Sequence, residues 1–462
     1  MTDTRSLLAG AVGAEQVLAA GDVPPDYGHD EALGVAPGRP EFVVRPGRTD
    51  EVAAVLRIAG ERGLRVTARG SGTGLSGAAI PGPGGLVMSF ERMNRVLEID
   101  GANNVAVVQP GVTLAELDAA TAAHGLVYPV FPGEMGASLG GTIATNAGGM
   151  RAVKYGVTRQ HVLGLEAVLA SGEVLRSGGK HVKNASGYDL TQLIVGSEGT
   201  LALVTEAVVR LYPRLPHQAT VLAPFGSLDQ VTGAVPGIVG SGIGPLILEY
   251  VDLVTMAAIT AAEDIDLGVP AAVRDKTLAY LVVMVEERTD ERLAALVTEL
   301  AELLAMLGAG DVYVLPDPAA RRLIEAREKA FWAAKNAGAD DIVDTVLPRA
   351  AMAGFLTEVG ELAGAGGGLV MGCGHAGDGN VHLAVFQPDA AARSDLMHGI
   401  FAAAVARGGA VSGEHGIGTA KKRYFLELAD PVAVGLMRRV KQAFDPAGIL
   451  GPGVLFEVGG TQ

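Results

Sequence analysis

The loop GTGLSG at residues 72–77 constrains the fold most, because of what surrounds it. It follows the apolar segment LRVTA (64–68) and satisfies the dinucleotide pattern G-x-G-x-x-G. A nicotinamide-binding fold needs a helix to open at this loop, with its N-terminus on the pyrophosphate. The next residues are AAIPGPGG (78–85), where Pro81, Pro83 and three glycines forbid one. That excludes the doubly wound reading. Successive backbone N–H groups can still cradle a pyrophosphate without a helix. Two further small-residue runs, GASLGGTIATNAGG (136–149) and GSEGTL (196–201), offer similar surfaces. Three in one half of the chain point to a long, phosphate-bearing cofactor. Glycine makes up 65 of 462 residues, about twice the usual share and without a repeat, so it reads as loops and close backbone approaches.

The pattern from Thr49 to Gly63 is helical, with Asp50 and Glu51 in its first turn and glycine at its end. TLAELDAATAAHG (113–125) predicts a helix with a Thr–x–x–Glu capping box. HVLGLEAVLASGEVLRSG (161–178) predicts a hairpin turning at Ser171–Gly172. Strands and helices mix without strict alternation, which indicates an α+β fold. Near Leu215–Pro216 the character changes. From there to about residue 412 strands such as QATVLAPF, PLILEY and TLAYLVVMVEE accompany a long helix at 289–307. This region predicts a domain of antiparallel sheet with helices on one face. The expected division is 1–215 (core about 38–215), 216–412 and 413–462.

The net charge of −15 argues against nucleic acid or an anionic membrane as partner. No apolar run of about 18 residues suggests a transmembrane segment. RSLLAGAVGAEQVLAAG (5–21) reads as an amphipathic helix rather than a signal peptide. The lone Cys373 excludes an internal disulfide and an iron–sulfur cluster held by this chain alone. The expected compartment is the cytoplasm.

HAGDGNVH (375–382) and SGEHGIG (412–418) place His375, His382, Glu414 and His415 on glycine-rich loops. Three nitrogen and oxygen ligands with an open position describe a catalytic zinc site, and the fourth residue is free to act as a base. One histidine alone would more simply be a hydrogen-bonded core residue. Cys373 lacks a basic partner at motif spacing and reads as a small buried hydrophobe.

RGSGTGLSGAAIP, ATNAGGMRAVKYG, KNASGYDL and VGSEGTLALVTEA resemble, in order, the FAD-binding half of the vanillyl-alcohol-oxidase (PCMH-type) flavoproteins. HAGDGNVH, SGEHGIG and FDPAGILGPG (444–453) resemble the C-terminal half of its D-lactate dehydrogenase and glycolate oxidase branch. The resemblance runs from YGHD (27–30) to Gly453. It implies a two-lobed FAD domain, completed by the C-terminal segment, beneath a substrate-binding cap. FAD would lie on Arg69, Gly70, Ser71, Gly72, Thr73, Gly74, Leu75, Ser76 and Gly77. Gly141, Thr142, Thr145, Asn146, Ala147, Gly148, Glu198, Gly199 and Val204 would line the remainder. Residues 69–85 hold no histidine or cysteine for a covalent tether, so dissociable FAD is expected.

The resemblance further implies His375, His382 and Glu414 as ligands of a divalent metal, with zinc favoured, and His415 as the base. Asn380 would contact the substrate carboxylate or a ligand, and Lys421 the reduced flavin. Relatives carry an arginine three residues after a cap tryptophan, to hold the substrate carboxylate. Counting from Trp332 that position is Lys335, which pairs a carboxylate without a bidentate fork. Members acting on 2-hydroxyglutarate carry a second lysine where this chain has Ile342, which favours a small or apolar D-2-hydroxy acid such as lactate or glycolate. Gly451 replaces the asparagine of the family's terminal motif. The expected activity is oxidation of a D-2-hydroxy acid. Electrons would pass to an external quinone, cytochrome, flavoprotein or iron–sulfur subunit, and a homodimer is compatible. The alternatives are the FAD subunit of a multichain glycolate oxidase, a D-2-hydroxyglutarate dehydrogenase, or a non-redox transferase of the alkylglycerone-phosphate-synthase kind. The last usually carries a histidine-rich cap run that is absent here.

Overall fold

A computed structural model describes residues 3–456. The ends of the first and third expected segments, residues 1–2 and 457–462, lie outside the described residues. The α+β class holds throughout. A four-stranded sheet forms first, in the order Val17–Ala19, Phe42–Val44, Leu86–Ser89, Val66–Arg69. Its last three strands are parallel and its first is antiparallel. The helix Thr49–Arg62 covers it because Val52, Val55, Leu56 and Ala59 fall on one face at helical spacing and are fully buried. Gly63 ends that helix in the left-handed conformation at φ 64°.

A five-stranded antiparallel sheet follows, in the order Val96–Asp100, Val105–Val108, Leu203–Arg210, Val162–Val168, Val174–Gly178. The last two strands are the expected hairpin. The helix Leu114–Ala122 carries the expected capping box, with Thr113 accepting from the Glu116 N–H.

From His217 the chain builds a seven-stranded, wholly antiparallel sheet. Its order is Tyr313–Val314, His217–Phe225, Ala279–Glu287, Ile247–Asp252, Leu369–Gly374, Asn380–Phe386, Asp341–Val346. Alternate strand residues feed two cores. Val221, Leu281 and Val283 pack against the helices Leu228–Gly240, Asp290–Met306, Met352–Ala365 and Ala390–Ala406, the expected helical face. The opposite face also carries helices: Leu222, Val282 and Val251 pack against Leu253–Ala262 and Asp317–Glu328. This second core includes Met150, so it joins the sheet to the N-terminal half. After the site loop, the helix Pro431–Phe444 returns the chain to the first sheet, where Leu450 bridges Val66 in parallel.

Candidate active site

Two cavities meet at the junction of these sheets. The first is walled by the loop after strand Val66–Arg69, by the segment opening the helix Leu139–Thr145, and by the turn Ser197–Glu198–Gly199. Gly70 is required here: a Cβ would stand 1.9 Å from the Ser138 hydroxyl. Of the expected cofactor residues, Arg69 through Ser76, Gly141, Thr142, Thr145, Ala147, Glu198, Gly199 and Val204 line this cavity. Gly77, Asn146, Gly148 and Lys421 do not. Gly77 packs beside Thr419, Asn146 accepts from the Arg159 N–H at 2.9 Å, and Gly148 lies against Glu414. The buried Ser197 hydroxyl in the wall lacks a partner, as a surface awaiting a polar ligand would.

The second cavity shares Thr73, Leu75, Pro132, Glu134, Glu414 and His415 with the first. Its other walls are largely apolar and include Phe331, Trp332, Ile342, Met371, Leu383 and Phe386. His375, just after the strand Leu369–Gly374, and His382, within the strand Asn380–Phe386, enter it on either side of a tight hairpin. Gly379 makes that hairpin possible, at φ +76° with a hypothetical Cβ 2.0 Å from the Leu347 carbonyl.

His375 Nε2 and His382 Nε2 lie 3.2 and 3.3 Å from Glu414 Oε1. Glu414 Oε2 is buried without a partner. Two imidazole nitrogens and a carboxylate oxygen so grouped fit a divalent ion such as zinc. Asp344 forms a second cluster with His382 and His415, but its donors define a different role. Its Oδ2 accepts from the Ser412 hydroxyl (2.6 Å) and from the N–H groups of Gly413, Glu414 and His415 (3.0, 3.1 and 2.8 Å). Its Oδ1 accepts from Asn380 Nδ2 at 2.8 Å. Asp344 therefore organises the loop carrying Glu414 and His415. Asn380 braces Asp344 and the Thr345 carbonyl rather than facing either cavity.

Burial is the largest effect on His415, lowering its pKa to about 4 despite Asp344, so the ring is neutral at pH 7. Burial also opposes charge on Glu414, but His375 and His382 outweigh it and hold the carboxylate ionised. For His375, Glu249 and Glu414 overcome burial and raise the pKa.

Two functional residues escaped the sequence reading. Glu249, fully buried, accepts from His375 Nδ1 at 2.6 Å and pairs with Arg327 at 2.6 Å. Arg327 is 7 % exposed and lines the second cavity. A signal existed for both. Glu249 interrupts the apolar strand ILEYVD, and Arg327 continues the buried stripe of Ala320, Leu323 and Ile324 on its helix. Lys335 does not itself line the chamber: its ammonium pairs with Glu31 at 2.6 Å beside Trp332, and those two residues do. At Gly451, φ is +54° and a Cβ would stand 2.9 Å from Thr200 Cγ2, which gives this departure a local steric reason.

An open glycine-walled cavity joined to an apolar chamber with a histidine cluster defines a flavin-dependent oxidoreductase site. The family descriptions agree: "FAD binding domain" matches residues 40–178, and "FAD linked oxidases, C-terminal domain" matches 214–455. The chain belongs to the FAD-linked oxidases, in the branch of D-lactate, glycolate and D-2-hydroxyglutarate dehydrogenases. It is 57% identical over 456 residues to an uncharacterized FAD-linked oxidoreductase of Mycobacterium tuberculosis, covering 99% of each chain. It is 40% identical to a D-lactate dehydrogenase of Archaeoglobus fulgidus, covering 91% of this chain and 92% of the other. The fold matches p-cresol methylhydroxylase with a TM-score of 0.80 at 16% identity, over 99% and 97% of the two chains. Among the described residues no helix is long and apolar enough to cross a membrane.

Proposed function

We propose that this protein oxidises a small or apolar D-2-hydroxy acid, lactate- or glycolate-like, to the 2-oxo acid. Electrons then leave through an external acceptor. The observation carrying this reading is His415, half-buried and neutral in the wall that the two cavities share. A base there reaches a substrate in the apolar chamber while facing the glycine-lined cavity. FAD, when bound non-covalently in that cavity, supplies the two-electron acceptor for the hydride leaving Cα. A divalent ion held by His375, His382 and Glu414 would lower the pKa of the substrate hydroxyl.

The chain's own groups do the rest. His415 takes the hydroxyl proton, and the Asp344 carboxylate fixes the loop that presents it. Arg327 supplies the cation for the substrate carboxylate, with Glu249 orienting both the guanidinium and His375. Ile342, Met371 and Leu383 form an apolar wall that favours a short or apolar side chain over a second carboxylate. The same reading keeps residues 1–215 and 413–462 as the FAD domain, with 216–412 as cap.

Turnover of D- against L-lactate with an artificial dye acceptor, beside metal analysis of the same sample, tests this. Dye reduction with the D-isomer, one equivalent of divalent ion and inactivation by chelator are expected. Activity with no ion bound would remove the metal from the mechanism. No activity on any D-2-hydroxy acid would remove the substrate class.

A further inference from the structure

The strands Leu369–Gly374, Asn380–Phe386 and Asp341–Val346 lie side by side, and their register fixes what the chamber floor presents. Cys373, His382 and Asp344 sit opposite one another across them. The next row on the same face is Met371, Ala384 and Ile342, and the row beyond it holds Leu369 and Phe386. Successive rows on one face are about 7 Å apart. An apolar floor therefore runs outward from His382 for two rows, and Met371, Ala384, Ile342 and Phe386 all line the chamber.

The helix Ala330–Asn336 supplies a second apolar wall. Ala330, Ala334 and Ala337 fall at helical spacing on and just after it, and all three line the chamber. With only methyl groups at these positions, the helix leaves room for a ligand. Phe331 and Trp332, ring centroids 5.2 Å apart, complete that wall. Phe331, Trp332, Ile342, Met371 and Phe386 are only half-buried. Large apolar side chains left open together in a concave wall mark a surface that a ligand covers. The chamber volume of about 190 Å³ exceeds the roughly 150 Å³ that holds a benzene ring. Among the described residues, Arg327 is the only lysine or arginine of the lining, while Glu31, Glu134 and Glu328 add acidic groups. A second carboxylate would meet no further lysine or arginine there.

We propose that the substrate is a D-2-hydroxy acid with a bulky apolar side chain, of isobutyl or benzyl size, lying along this floor. The inference rests on the proposed oxidation and extends it beyond the methyl group of lactate, which would leave Met371, Ile342 and Phe386 uncovered. The acid end stays with Arg327 and the histidines, and the side chain points from them towards Phe386. Each methylene moved from water onto such a wall tightens binding by about fourfold.

The test is calorimetric titration of the oxidised, flavin-loaded protein with 2-oxo acids, the products of such oxidations, so that no turnover is needed. Phenylpyruvate and 4-methyl-2-oxopentanoate should bind at least tenfold more tightly than pyruvate, and 2-oxoglutarate no more tightly than pyruvate. Ala334→Phe, with its flavin spectrum as the check on folding, should cut that preference to threefold or less. Bulky acids that bind no more tightly than pyruvate, or a preference unchanged in Ala334→Phe, overturn the proposal. Anaerobic flavin reduction by the matching D-hydroxy acids separates this inference from the reading beneath it. If D-lactate bleaches the flavin and the bulky acids show no preference, this inference fails alone. If the bulky acids bind tightly and no D-hydroxy acid bleaches the flavin, the oxidation fails while the apolar preference of the chamber stands.

Discussion

Arg327 and Lys335 lie close in sequence and in opposite circumstances. Arg327 is buried against Glu249 in the chamber wall, while Lys335 pairs with Glu31 at its margin. Counting from Trp332 points to the lysine, because charge and spacing are legible in the sequence and the pairing of Arg327 with the distant Glu249 is not. Replacing Arg327 by lysine keeps the charge and loses the planar fork. A charge-assisted hydrogen bond contributes about 1.5–3 kcal/mol, so KM for the hydroxy acid should rise by roughly ten- to a hundredfold. Steady-state kinetics of Arg327→Lys beside Lys335→Met measures this, and the larger change belongs to Arg327. His415→Asn should lower kcat by about 10²–10⁴ while the protein retains its flavin absorbance. An unchanged kcat would remove His415 from the role of base.

The turn Gly416–Ile417–Gly418 shows what element-level reading supplied and what it missed. SGEHGIG was legible as a site loop from its histidine and glycines. Its anchorage was not, because the partners lie some 70 and 220 residues away: Asp344 holds its first half and Glu198 its second. Glu198 was expected only as a cofactor residue. It lines the cofactor cavity, and its carboxylate also accepts from the Ile417 and Gly418 N–H groups at 2.9 and 2.7 Å. Glu198→Ala should cost about 3 kcal/mol of unfolding free energy and loosen flavin retention, with Glu198→Gln intermediate. Denaturant titration and the flavin-to-protein absorbance ratio report the two effects. Gly70→Ala should lower flavin occupancy by driving its loop from Ser138. Most strands and helices were legible from periodicity and caps. The helices on the inner face of the seven-stranded sheet were not, because which face a helix covers is decided by strand order, which no local pattern records.

Across the whole molecule, a buried histidine outside both cavities links stability to pH. His161 is fully buried, edge-on to the rings of Tyr128 and Tyr212, with neither ring nitrogen hydrogen-bonded. Burial lowers its pKa from 6.5 to about 4. The unfolded chain therefore binds the extra proton first. Its contribution is complete above pH 6.5 and is lost as pH falls towards 4, by up to about 3 kcal/mol. Urea unfolding across that window should show the slope in wild type and lose it in His161→Phe.

On the proposed reading, the shared wall of the two cavities brings a hydroxy acid, a neutral base and a flavin together. Anaerobic absorbance titration of the flavin-loaded protein tests it most directly. D-lactate or another small D-2-hydroxy acid should bleach the oxidised flavin band, its L-isomer should not, and His415→Asn should bleach far more slowly. A flavin that no D-2-hydroxy acid reduces, or one reduced equally fast without His415, would contradict the account.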